Sequence, residues 1–174
     1  MKTGMSILLI FILNLASAQT AFETIIKTQA MQMGQALAQG DSKTFGRYLP
    51  KEMLKDPKDG LQILKLIDSG FNMFKAFGGE VKKITYGHPV AIVKNGKKWQ
   101  SGLLQTTTIV SPFADAELES VLLAQSEDGG KNWTFIDLMF RNIGEIKDRM
   151  PVQLPKLALP KAAPPKITMK ETRQ

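Results

Sequence analysis

Residues 119–140, ESVLLAQSEDGGKNWTFIDLMF, decide the fold. Val121-Leu122-Leu123 is an apolar run, and Trp133-Thr134-Phe135-Ile136 is aromatic and β-branched. Between them lies Ser126-Glu127-Asp128-Gly129-Gly130-Lys131-Asn132. Glycine reaches positive φ without a Cβ clash and aspartate bonds back onto a turn, so this arrangement predicts a β-hairpin. Apolar residues stand on both faces of each run, which places the pair inside a sheet and not at its wet edge.

Working outward, strand-like patterning covers residues 81–87, 90–93, 99–110, 118–125 and 133–140, with Asn95-Gly96 as a second hairpin turn. Ahead of the strands the period is helical. Thr20-Ala21-Phe22-Glu23 has the form of a capping box opening a helix through Met33 and Leu37 to Gly40. Asp41 or Ser42 caps a short second helix that ends at Pro50. Asp59-Gly60-Leu61-Gln62 opens a third, with Leu64, Ile67, Phe71 and Phe74 on one stripe and a weak point at Ser69-Gly70. Ile143, Ile146 and Met150 suit a last short helix. Helices followed by a run of antiparallel strands describe an α+β domain: one curved sheet wrapped on N-terminal helices.

The ends read differently. Residues 1–18 have a basic start at Lys2, an apolar core from Ile7 to Leu13 and the small-x-small site Ala16-Ser17-Ala18. That is the form of a secretory signal peptide cut between Ala18 and Gln19. The apolar stretch, broken at Asn14, falls short of the ~20 residues of a membrane span, so no stable span is expected after cleavage. Residues 19–150 form the expected single domain, and the destination is the periplasm or the medium. Residues 151–174 hold five of the nine prolines and are expected to be extended or disordered.

The net charge of +7 suggests nucleic acid until it is partitioned. The C-terminal segment carries Lys156, Lys161, Lys166, Lys170 and Arg173 against Glu171 alone, and Lys2 leaves with the leader. The expected domain keeps 17 basic and 15 acidic residues, too nearly neutral for a nucleic-acid face.

Element order and the segments Ala38-Gln39-Gly40-Asp41 and Tyr48-Leu49-Pro50 resemble the nuclear transport factor two-like fold, shared with ketosteroid isomerases and SnoaL-like proteins. Within that superfamily the segment from Asp128 to Asp137 is similar to small exported bacterial proteins of unassigned function. The resemblance covers roughly residues 21–149. It implies a cone-shaped, cystatin-like α+β domain with a pocket between helices and concave sheet, and no particular activity. Locally, Ser126-x-Asp128-x-Gly130-x-x-Trp133 resembles the Asp-box of sialidase-type propellers, a turn-stabilising device. One copy behind three helices does not make a propeller.

His88 is the single histidine, and Tyr86 shares its strand face. Asp137 alternates with Trp133 and Phe135, and Gln105 with Thr107. These residues could floor the cone, where an apolar setting would raise the Asp137 carboxyl and let it, or His88, move protons. The alternative sets His88 in a turn before Pro89 and binds Asp137 to nearby backbone. Phe71, Phe74, Tyr86, Gln105, Thr107, Trp133, Phe135 and Asp137 are the candidate pocket lining. Ser126, Asp128, Gly130 and Trp133 are the candidate structural turn.

With no cysteine and one histidine, a thiolate or multi-histidine metal site is excluded within the chain, and no cofactor is expected. The row Asp115, Glu117, Glu119 reads as a solvated edge before it reads as a cation site. No Gly-x-Ser-x-Gly elbow or phosphate-cradling glycine loop is present. The leading expectation is an exported, non-enzymatic domain that binds a small apolar molecule or a partner protein. Behind it stand a pocket isomerase or dehydratase using Asp137 or His88, and a module that forms homodimers through its sheet.

Overall fold

The computed structural model describes residues 4–54, 57–140 and 157–171. Helix α1 (Gly4–Gln39) runs unbroken past residue 20, so Thr20 is not an N-cap; the Thr24 hydroxyl donates to the Thr20 carbonyl at 3.0 Å, one turn back. Helix α2 (Ser42–Gly46) starts where expected, with the Asp41 carboxylate accepting the Thr44 N–H at 2.9 Å. Helix α3 (Pro57–Ala76) begins ahead of the Asp59-Gly60 box and passes through Ser69-Gly70 without a break. Pro57 suits that start, because the first turn of a helix needs no N–H from it. The α3 stripe of Leu64, Ile67, Phe71 and Phe74 is only half-buried.

Six antiparallel strands follow, in a curved sheet that does not close: β1 (Glu80–Tyr86), β2 (Val93–Asn95), β3 (Lys98–Val110), β4 (Ala114–Ser126), β5 (Thr134–Asp137) and β6 (Lys166–Met169). The α+β architecture is as expected. The long strands β3 and β4 form the middle, in one register from Trp99↔Ser126 to Val110↔Asp115. β1 and β2 share the free edge of β3, while β5 and β6 share that of β4. The hairpin of residues 119–140 is present, but its second strand stops at Asp137 and residues Leu138–Phe140 turn into a 3-10 helix.

The two faces of the sheet bury separate clusters. Trp133, Phe135, Leu103, Leu122 and Ala124 pack with Ile26, Ala30 and Met33 of α1. On the opposite face Leu123 and Ile136 receive Leu157, which is only 5% exposed. Each Leu, Ile, Met or Phe side chain so removed from water contributes about 1.5–3 kcal/mol.

Leu157 belongs to the proline-rich end, which was expected to be extended or disordered; residues 157–171 are extended and packed against the sheet. Three features tie that end down. Leu159 fills the space above Gly102 in β3, where any Cβ would collide with it. Farther on, β6 pairs with residues Ala114 to Glu117 of β4. Finally, Lys166 and Lys170 form ion pairs with Glu117 and Asp115 at 2.8 and 2.7 Å, and the Ala163 N–H donates to Glu119 at 2.8 Å. The acidic row is therefore a docking strip for the chain's own lysines, not a bare solvated edge. The expected last helix, over Ile143, Ile146 and Met150, lies outside the described residues.

Candidate functional site

Strand alternation sets the site. Facing α1, the odd residues of β3 and the even residues of β4 supply Leu103, Leu122 and Ala124 along one half of the sheet. In the next pair along, the same rows place Gln105 opposite Ser120, both buried. β1 adds Tyr86 opposite Gln105, and β5 adds Asp137 opposite Leu122, diagonal to Ser120. A polar belt thus crosses all four lanes of the sheet beside an apolar core.

Hydrogen bonds run along the belt. The Gln105 amide donates to the Ser120 hydroxyl at 3.4 Å, and that hydroxyl donates to Asp137 Oδ2 at 2.9 Å. Asp137 Oδ1 accepts the Met139 N–H at 2.9 Å, capping the 3-10 turn. Burial raises the Asp137 carboxyl above its usual range, opposed by these two hydrogen bonds. At the other end the Tyr86 phenol is pushed well up, first by burial and then by the charge of Asp137. Its hydroxyl oxygen is buried without a hydrogen-bond partner among the described residues. An unpaired buried hydroxyl costs about 1–3 kcal/mol.

Tyr86 also lines an open groove of about 400 Å³ between α1 and β1. Met31, Gly34 and Ala38 form its helical wall, Val81 and Ile84 its strand wall, and Lys82 and Lys83 stand at its rim. Lys82 is paired with Glu80 at 2.7 Å. Gly34 is required here, since a Cβ at that position would run into the Tyr86 hydroxyl.

The remaining candidates are dispersed. His88 lies outside the belt, with its side chain 87% exposed and 3.9 Å from Glu23. Trp133 and Phe135 are closed into the core; Trp133 also borders a polar cleft of about 630 Å³ beside Arg47 and Lys51. Phe71 and Phe74 lie 6.5 Å apart and cover Gly40 and Gly79, at the end of α1 and the start of β1. Thr107 is half-buried one step beyond Gln105 on the same face. Ser120 was not among the sequence candidates. Its register opposite Gln105 was the available signal, and it required pairing β3 with β4 residue by residue.

The turn residues do form one device. Asp128 accepts hydrogen bonds from Lys131 N–H, Asn132 N–H, the Asn132 amide and the Ser126 hydroxyl, at 2.6–3.1 Å. The Trp133 indole donates to the Gly130 carbonyl at 3.0 Å. Gly129 and Gly130, at φ 77° and 88°, take the backbone conformation that side chains disfavour.

Comparison with protein-family models, with curated proteins and with solved structures found no match. Among the described residues no helix is long and apolar enough to cross a membrane, and no three acidic or histidine side chains cluster to hold a metal ion.

Proposed function

We propose that this is an exported, non-enzymatic binding domain that takes a small amphipathic molecule in the groove between α1 and β1. The ligand's apolar body lies along Met31, Ala38, Val81 and Ile84, and a polar oxygen meets the Tyr86 hydroxyl. The observation that carries this reading is the buried Tyr86 hydroxyl without an internal partner at the side of a mostly apolar groove. Lys83, exposed at the rim, favours ligands with an anionic end. Export is supported by the leader pattern of residues 1–18, and the superfamily resemblance is consistent with a carrier built on this architecture.

Proton transfer at Asp137 is the weaker reading. Its raised carboxyl favours it, but both oxygens already hold local donors, Ser120 and Met139. A general base needs a free lone pair aimed at substrate.

Titration of the full chain with a saturated fatty-acid series, followed through the Met31 and Ile84 methyl resonances, tests the proposal. Saturable shifts at the Met31 and Ile84 methyls are expected, and the Ile84 shifts should be lost in Met31→Glu. Shifts confined to residues outside the groove, or none, would refute it.

A further inference from the structure

The polar cleft of about 630 Å³ lies between the segment that follows α2 and the β4–β5 hairpin. Arg47, Lys51 and Glu52 stand on the first side, and Glu127 and Asn132 on the second. Each of its eleven lining residues bears a side chain able to hydrogen bond, and none is aliphatic. The α1–β1 groove is the reverse case, walled by Met31, Ala38, Val81 and Ile84. A concavity of this size suits a small molecule, and its polar groups decide which.

Both sides are held by internal bonds, so the cleft is preorganised. The Tyr48 carbonyl accepts the Phe135 N–H at 2.7 Å, and the Tyr48 hydroxyl donates to Gln32 of α1 at 2.9 Å. Leu49 and Pro50, next in the chain, are buried, and the 3-10 helix Lys51–Met53 starts from them. Opposite, Asp128 fixes Asn132, whose side-chain amide donates to it at 2.6 Å.

Internal bonds already engage the polar groups of Gln29, Trp133 and Thr134. Arg47 and Lys51 are exposed, and among the described residues no hydrogen bond or ion pair takes their side chains. Across the cleft the Asn132 side-chain oxygen and the Glu127 carboxylate are acceptors, and Lys98 offsets the Glu127 charge at 3.5 Å. A ligand that suits both sides accepts from the first and donates to the second. A carboxylate meets guanidinium in the bidentate geometry it favours, and hydroxyls donate to the acceptors opposite. Glu52 and Glu127 beside the two cations favour a single negative charge over the charge of about two on a phosphate. With no aliphatic wall, the body of the ligand is itself polar.

We propose that this cleft is a second binding site, for a sugar acid of one or two rings bearing one carboxylate. The carboxylate is held at Arg47 and Lys51, and the hydroxyls donate to Asn132 and Glu127. The site shares no lining residue with the α1–β1 groove, so either can fail without the other.

The test uses the full chain and cellobiuronic acid as probe, with cellobiose and inorganic phosphate as controls. The probe is expected to move the Arg47 Nε–H and Asn132 side-chain amide resonances saturably. Cellobiose keeps the rings and lacks the carboxylate, and should bind at least about tenfold more weakly. Arg47→Ala, at an exposed position, should weaken the Asn132 response about tenfold or more and leave the melting temperature unchanged. The absence of a saturable shift would overturn the proposal, as would an Asn132 response that Arg47→Ala leaves unchanged. Cellobiose binding as tightly as the acid would overturn it too, because the carboxylate would then not be read. Phosphate binding as tightly as the acid would reduce the site to general anion capture and equally overturn it.

Discussion

Gln29 of α1 holds Trp133 in place across the core. Its side-chain oxygen accepts the Trp133 N–H at 2.7 Å, while its amide donates to the Lys131 carbonyl at 3.0 Å. One helical side chain thereby satisfies the entry to β5 and sets the hairpin against the helix. Gln29→Ala is expected to lower stability by about 1–3 kcal/mol, since it strands a main-chain N–H next to the core. Urea unfolding followed by tryptophan fluorescence measures this.

The same hairpin sets an acid limit. Hydrogen bonds from Asn132, Ser126 and Lys131 lower Asp128 from its ordinary 3.8 to about 2. A depressed carboxyl contributes stability above its unfolded pKa and loses it as pH falls through the folded one. The melting temperature of the wild type should therefore fall between about pH 4 and 2 more steeply than that of Asp128→Asn, which cannot titrate. Parallel curves for the two proteins would show that the Asp128 cage is not formed.

Asp137 should behave in the opposite sense. Burial raises its folded pKa above 3.8, so its contribution is fully present below that value and is lost as pH rises through the folded pKa. Asp137→Asn keeps an oxygen for the Met139 N–H and removes the buried charge. It is expected to be as stable as the wild type or more so at pH 7, with the difference vanishing near pH 3. Thermal melts across that range check the sign.

Gly102 and Leu159 give a direct handle on the C-terminal segment. A side chain on Gly102 would displace Leu159 and loosen the segment from the sheet. Gly102→Val should cost about 1–3 kcal/mol, and Leu157→Ala about 2–5 kcal/mol, from the cavity left under Leu123 and Ile136. Limited proteolysis should cut Gly102→Val after the C-terminal lysines far sooner than the wild type.

How much of this was legible in the sequence depends on whether the deciding interaction was local. The Asp128-Gly129-Gly130 loop and the Asp41 cap could be read because donor and acceptor lie within four residues of each other. The starts of α1 and α3 were misplaced. Thr20 has capping chemistry, but nothing at Ala18 or Gln19 obliges a helix to begin there, and α1 continues through. Asp137 and Gln105 were recognisable as polar residues on apolar strands, whereas Ser120 needed the β3–β4 register. The docking of the C-terminal segment was not legible. Prolines correctly forbid a helix there, but nothing local in Leu157 says that Leu123 and Ile136 wait for it, or that Glu117 and Asp115 will take its lysines. Composition describes a segment in isolation, and this one is ordered by its contacts.

The proposed binding site between α1 and β1 rests on the Tyr86 hydroxyl oxygen. Tyr86→Phe removes the hydroxyl and leaves the ring against Gly34, so isothermal titration of this variant with the tightest-binding fatty acid, paired with its melting curve, is the most direct test. Affinity should fall about tenfold, the value of one hydrogen bond made only to ligand, while the melting temperature stays level or rises. Unchanged affinity, or a clear drop in melting temperature from loss of an internal partner, would contradict the assignment.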